Sequence, residues 1–122
     1  AQSVKSIRDL YQDKKITAIF QPHLYTRTRD FYKEFADSLS LLDEVILVDI
    51  YPAREQPIPG VTSQLIYDNL RPGIEKCMCR KEDILNLLSQ KKIEVLITLG
   101  AGDIDNYVPE ITKQLKLRIL HS

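Results

Sequence analysis

Asp43-Glu-Val-Ile-Leu-Val-Asp-Ile-Tyr51 is the stretch that decides the architecture. Val45 to Val48 are apolar without a break, so the segment has no polar face and suits a β-strand covered on both sides. Pro52 stops it, because proline has no N–H to donate to a ladder. Lys15-Ile-Thr-Ala-Ile-Phe-Gln21 is a similar run upstream, stopped by Pro22, and Ile93-Glu-Val-Leu-Ile-Thr-Leu99 is another downstream. Helical patterns separate these runs. Val4, Ile7, Leu10 and Tyr11 recur at helical spacing in 1–11, and Phe31, Phe35, Leu39 and Leu42 share one face of a helix expected over 29–42. Shorter helices are expected over 61–70, stopped by Arg71-Pro-Gly73, and over 81–89. A last one is expected over 109–115, where Pro109 suits the first helical position. Weaker strand patterns cover 74–78 and 117–120. Strands alternating with helices predict parallel βαβ units with right-handed crossovers, hence an α/β, three-layer domain with a mostly parallel sheet flanked by helices. The expected strand order begins 3-2-1-4.

A length of 122 residues is one domain's worth, and such a chain can bury a core without staples. Seventeen Lys and Arg balance seventeen Asp and Glu, which argues against nucleic-acid binding through bulk positive charge and against a polybasic membrane anchor. The apolar runs are too short to span a bilayer as helices. Two cysteines, Cys77 and Cys79, make no disulfide framework and lack two further ligands at zinc spacing, so a reducing, cytoplasmic setting without a metal site is expected. Residue 1 is not Met and falls within a helical pattern, so the chain reads as a piece of a longer protein.

In open parallel sheets, ligands bind beyond the carboxyl ends of the strands, at the point where the winding reverses. Pro22-His-Leu-Tyr-Thr-Arg-Thr-Arg-Asp30 follows the first strand and gathers an imidazole, a phenol, two hydroxyls and two guanidiniums before a helix. A helix N-terminus and arginine forks both suit a carboxylate or phosphate. Thr26 and Thr28 are candidate anion contacts or, alternatively, helix N-caps. His23 is a candidate ligand-binding residue or a loop histidine bonded to backbone, and Arg27 and Arg29 are anion-binding or simply solvated. Gly100-Ala101-Gly102-Asp103 follows the fourth strand, where glycine permits close approach of a ligand or a tight turn into a helix capped by Asp103. The proline-rich 51–60 loop, with Arg54 and Glu55, is a third candidate for binding, but reads first as a rigid surface connection. Phe20, Phe31, Phe35 and Met78 are expected in the core, and His121 in solvent.

Phe20-Gln-Pro-His-Leu-Tyr-Thr-Arg-Thr-Arg-Asp30 resembles the F-Q-P-H-R-Y-S-R-T-R-D segment of the UDP-N-acetylmuramate–L-alanine ligases, members of the Mur ligase family. Tyr51-Pro-Ala-Arg-Glu-Gln-Pro-Ile-Pro-Gly60 is similar to their Y-x-A-G-E-x-P-I-x-G loop, and Gly100-Ala-Gly-Asp-Ile104 to their G-A-G-D-I turn. The resemblance implies that residues 1–122 form the Rossmann-like C-terminal domain of a three-domain ligase, whose N-terminal and central domains lie outside this chain. It implies ATP- and Mg²⁺-dependent joining of L-alanine to UDP-N-acetylmuramate through an acyl phosphate, in cytoplasmic peptidoglycan precursor synthesis. ATP and Mg²⁺ would belong to the central domain, so the fragment alone is expected to bind neither and to be inactive. Position by position, His23 and Arg27 would hold the L-alanine end, while Gly100, Ala101 and Gly102 would wall a methyl-sized pocket. Leu24 stands where the family has Arg, and Arg54 where it has Gly. The family's D-D-Y-G-H-H-P segment is expected just before residue 1.

Two other readings compete. A murein-tripeptide recycling ligase shares the three-domain plan but diverges in the first loop. A non-catalytic α/β anion-binding module needs no further domains, although no receiver-like acidic pair ends the first strand.

Overall fold

A computed structural model describes residues 4–100 and 119–121. Helix α1 (Val4–Leu10) leads into β1 (Ile16–Gln21), α2 (Tyr25–Leu39) and β2 (Glu44–Val48). Then come α3 (Gln64–Asn69), β3 (Glu75–Cys79), a 3₁₀ turn (Lys81–Asp83) continuing into α4 (Ile84–Ser89), β4 (Val95–Gly100) and β5 (Ile119–His121). The strands form one sheet in the order β3-β2-β1-β4-β5, and every pairing is parallel. The predicted 3-2-1-4 order is therefore present, with β5 added at the edge beside β4. The helix expected over 109–115 and the residues Ala101, Gly102 and Asp103 lie outside the described residues.

Alternation along the central strands divides the core into two layers. Ile16 and Ala18 of β1, Val45 and Leu47 of β2, and Val95, Ile97 and Leu99 of β4 pack on one face with Ile7 of α1, Ala36 and Leu39 of α2, and Ile66 of α3. Ile19, Ile46, Val48 and Leu96 face the other way and are covered by Ile84 and Leu88 of α4. Because α2 and α3 cover one face and α4 the other, the winding reverses between β1 and β4. All five residues of β2 are buried, which is why its sequence shows no alternation.

Two expectations are corrected. Phe31 is 45% exposed and Met78 38% exposed, so neither is a core residue; Phe20 and Phe35 do pack against the first layer. Phe31 stands at the margin of the buried stripe of α2, and Met78 alternates outward from Cys77 and Cys79 on β3. Helix α2 also begins at Tyr25, four residues before the first turn expected from its apolar spacing.

Candidate functional site

The carboxyl ends of β1 and β2 are drawn together by backbone. Tyr51 donates its N–H to the Pro22 carbonyl at 2.8 Å, and Leu24 donates to the Tyr51 carbonyl at 2.9 Å. His23 and Tyr51 consequently form an isolated parallel bridge beyond the strand ends. Their rings stack with centroids 5.7 Å apart and planes 19° from parallel.

Leu24 then turns the chain into α2 with φ 73° and ψ 141°, a conformation that a residue with a Cβ rarely adopts. Hydrogen bonds on both sides hold it there. Its carbonyl accepts the Thr28 N–H at 3.2 Å and the Thr28 hydroxyl at 2.8 Å. Thr28 is thereby buried and its hydroxyl committed within the helix.

A leucine cannot cap a helix with its side chain, and the cap of α2 comes instead from the proline-rich loop. Glu55 accepts hydrogen bonds from the backbone N–H groups of Tyr25 and Thr26, the latter at 3.1 Å, and from the Thr26 hydroxyl. These bonds, with the Thr26 hydroxyl contributing most, hold the Glu55 carboxyl below its ordinary pKa against the opposing effect of desolvation. The loop returns Glu55 to the helix through a turn in which the Glu55 N–H donates to the Pro52 carbonyl at 2.9 Å. Ala53, at φ 53°, takes the left-handed position of that turn, so Arg54 is free of the strain that a positive φ would impose.

The anion at the start of α2 is thus internal. Glu55 is a site residue that sequence patterns do not reveal, because no local spacing links it to Thr26, 29 positions away. The available clue is the pair of arginines in the first two turns, where cations are unfavourable without a nearby anion. The two arginines differ in circumstance. Arg29 is tied to Asp30, with Nε 2.9 Å from Oδ1. Arg27 is exposed, has no ion pair among the described residues, and lies over the Phe31 ring at 5.5 Å from its centroid.

Beside this turn, Tyr25, Asp49, Ile50, Thr62, Ser63 and Met78 line a cleft of about 240 Å³ at the carboxyl ends of β2 and β3. A larger cleft, about 510 Å³, lies at the opposite end of the sheet. Four of its charged residues are paired among themselves, Arg8 with Asp43 and Lys15 with Glu75. On the other flank of β1, Gly100 ends β4 in register with Gln21, at the same end of the sheet as His23.

Known proteins share this sequence closely. The chain is 84% identical over 110 residues to the UDP-N-acetylmuramate–L-alanine ligase of Phocaeicola vulgatus, covering 90% of this chain and 24% of that protein. It is 54% identical over 114 residues to the enzyme of the same name from Parabacteroides distasonis, covering 93% and 24%. Over nearly its whole length the chain is similar to proteins of that name. It spans about a quarter of the length of the relatives it matches. The solved structure of the UDP-N-acetylmuramate–alanine ligase from Thermotoga maritima superposes with a TM-score of 0.68 at 23% identity, over 93% of this chain and 23% of that one. This likeness places the chain in the same α/β fold. No protein-family model matches the chain.

The candidate residues fall into distinct settings. His23 and Arg27 sit on the strand-to-helix connection after β1, His23 half-buried against Tyr51 and Arg27 exposed on α2. The hydroxyls of Thr26 and Thr28 both already have acceptors. Among the described residues no group of three or more His, Cys, Asp or Glu is placed to hold a metal ion, and no helix is long and apolar enough to cross a membrane.

Proposed function

We propose that the chain is the C-terminal, amino-acid-presenting domain of a cytoplasmic ligase that joins L-alanine to UDP-N-acetylmuramate at the expense of ATP. Identity of 84% to a ligase of that name carries the reading. The geometry supports it, because Arg27 offers an exposed guanidinium at the carboxyl end of the sheet with no ion pair among the described residues. A guanidinium fork binds a carboxylate through two parallel hydrogen bonds, so Arg27 holds the L-alanine carboxylate. His23, steadied by the Tyr51 stack, stands at the same strand end and orients the amino-acid end of the substrate. By likeness to the family's G-A-G-D-I turn, we assign Gly100, Ala101 and Gly102 to limiting the amino-acid pocket to a methyl-sized side chain.

In that reaction the muramate carboxylate would take the γ-phosphoryl group of ATP with release of ADP. The L-alanine amine would attack the acyl carbon, forming the amide and releasing phosphate and a proton; bound Mg²⁺ would neutralise phosphate charge. The sequence of this chain has no Gly-Lys-Ser/Thr phosphate loop, and the described residues form no metal cluster. We assign that machinery to the central domain of the same protein, which together with the N-terminal domain would be this domain's partner.

The decisive experiment is a ligation assay with L-alanine, UDP-N-acetylmuramate, ATP and Mg²⁺. The expected result is phosphate release dependent on L-alanine by the full-length enzyme and none by residues 1–122 alone. Ligation by the isolated chain, or a full-length enzyme indifferent to L-alanine, overturns the reading.

A further inference from the structure

We infer that Glu55 is a positioning residue of the amino-acid-side loop: its carboxylate fixes the first turn of α2 and thereby sets where His23 and Arg27 stand. This rests on the reading of those two residues as the L-alanine side of the site.

Helix α2 lacks a cap of its own. The N–H groups of a helix's first turn have no partners inside the helix, and Leu24 at the N-cap has no side-chain acceptor to offer. One carboxylate from a separate loop supplies the need, taking two backbone N–H groups and one hydroxyl from Tyr25 and Thr26. The loop that delivers Glu55 is anchored at its other end by Tyr51. That residue exchanges backbone hydrogen bonds with Pro22 and Leu24 and stacks on His23. Tyr51 and Glu55 therefore grip the 22–26 segment at two points, with His23 under one grip and Thr26, next to Arg27, under the other. The strained backbone of Leu24 lies between them.

The same cap constrains how substrate is held. Because Glu55 already occupies the Tyr25 and Thr26 N–H groups, a bound carboxylate does not take those two, and recognition falls to the side chain of Arg27. Glu55 also lies near enough to act electrostatically on Arg29, which is in addition paired with Asp30. The arrangement leaves Arg27 as the guanidinium of this loop without an ion pair among the described residues.

The test uses the full-length enzyme with Glu55→Ala, Glu55→Gln and Glu55→Asp, measuring KM and kcat separately for L-alanine, ATP and UDP-N-acetylmuramate. Hydrogen–deuterium exchange across peptides covering residues 22–30 is read on the same preparations. A misplaced binding group raises the KM of its own substrate, so Glu55→Ala is expected to raise the L-alanine KM about tenfold with the ATP KM within about twofold. Exchange across 22–30 should accelerate in the same variant. Glu55→Gln keeps a carbonyl acceptor for the N–H groups and should recover most of both effects. A lower melting temperature with an unchanged L-alanine KM overturns the proposal, and so does an equal rise in all three KM values. If Glu55→Ala does not fold, Glu55→Asp decides, since its shorter reach should give the same KM pattern in a folded enzyme. A wild-type enzyme that ligates no L-alanine brings down the ligase reading. Unchanged exchange in a Glu55→Ala enzyme that does ligate L-alanine brings down this proposal alone.

Discussion

Asp43 and Ile16 are joined twice at the amino end of the sheet. The Asp43 N–H donates to the Ile16 carbonyl at 3.2 Å, and the Asp43 carboxylate accepts the Ile16 N–H at 2.7 Å. The same carboxylate accepts Arg8 Nη1 at 2.8 Å, which ties α1 to the first turn of the sheet. Ile16 is fully buried, so its N–H has no water to fall back on. Asp43→Ala is therefore expected to lower unfolding free energy by about 1–3 kcal/mol, the cost of stranding a buried donor. Desolvation pushes the Asp43 carboxyl upward, but the bonds from Ile16 and Arg8 prevail and hold its pKa below the ordinary value. A lowered pKa in the folded state gives stability that is present above the unfolded value, about 4, and lost as pH falls through the folded one. Urea midpoints between pH 6 and pH 2.5 check this, and the fall in midpoint should be shallower in Asp43→Ala than in the wild type.

Glu44 poses the reverse problem on the alkaline side. Its side chain is 4% exposed and held by Lys91 at 2.6 Å and the Thr17 hydroxyl at 3.1 Å, with Lys15 at 3.7 Å. Lys91→Met leaves a buried carboxylate without its nearest cation, a loss of about 2–4 kcal/mol. Lys15→Met should cost under about 1 kcal/mol, since that amine is paired mainly with the exposed Glu75. The bond to Glu44 raises the Lys91 pKa. Its stabilisation is accordingly complete below the unfolded value, about 10.4, and is lost as pH rises through the folded value. Denaturation midpoints from pH 8 to 11.5 should fall steeply in the wild type and less in Lys91→Met. Parallel curves would remove Lys91 from the account.

The strands β1, β2 and β4 are legible in the chain because they are covered on both faces, which leaves uninterrupted apolar runs such as Val45–Val48, whereas their order is expected only as the commonest doubly wound arrangement. The start of α2 is not legible. Its first turn is set by Glu55, whose partner residues lie 29 and 30 positions away, and no periodicity records a contact of that range. Phe31 shows a related gap. Its spacing from Phe35 and Leu39 marks the correct helix face, but spacing does not tell the middle of an apolar stripe from its margin. His23 and Arg27 stand out by residue type and motif, whereas the pairing that distinguishes Arg27 from Arg29 needs coordinates. The 51–60 loop has the composition of a connection; it does connect, and through Glu55 it also caps.

Cys77 and Cys79 stand on the same side of β3, packed against the second core layer. Burial pushes both thiols up, Cys79 to about 11. At pH 8 Cys79 carries more than about a hundredfold less thiolate than a free cysteine, and the thiolate is the nucleophile. Iodoacetamide should therefore label the unfolded chain within minutes and leave native Cys79 largely unmodified, as followed by mass spectrometry. Equal labelling of native and unfolded chains would contradict that burial.

Arg27 and Phe31 offer a sharper test of the site, because the first is assigned to the substrate and the second lies beneath that guanidinium, beside the Phe35 ring. The Phe31 ring is 45% exposed yet lies one turn along α2 beneath the guanidinium, 5.5 Å away. An exposed cation–π contact contributes about 0.5–1 kcal/mol, which corresponds to roughly a two- to fivefold loss of orientation when the ring is removed. In the full-length enzyme Phe31→Ala should raise the L-alanine KM by about that factor, with the ATP KM unchanged. Arg27→Ala removes the carboxylate fork itself and should cost about a hundredfold in kcat/KM for L-alanine, as expected for a charged hydrogen-bonded pair. Arg27→Lys should recover little, because an ammonium cannot form the two-pronged contact. If Phe31 acts only through Arg27, adding Phe31→Ala to Arg27→Ala should produce no further loss. An additive double variant would mean that Phe31 meets the substrate or a neighbouring domain directly. An Arg27→Ala enzyme with wild-type kinetics for L-alanine would leave the carboxylate to another group.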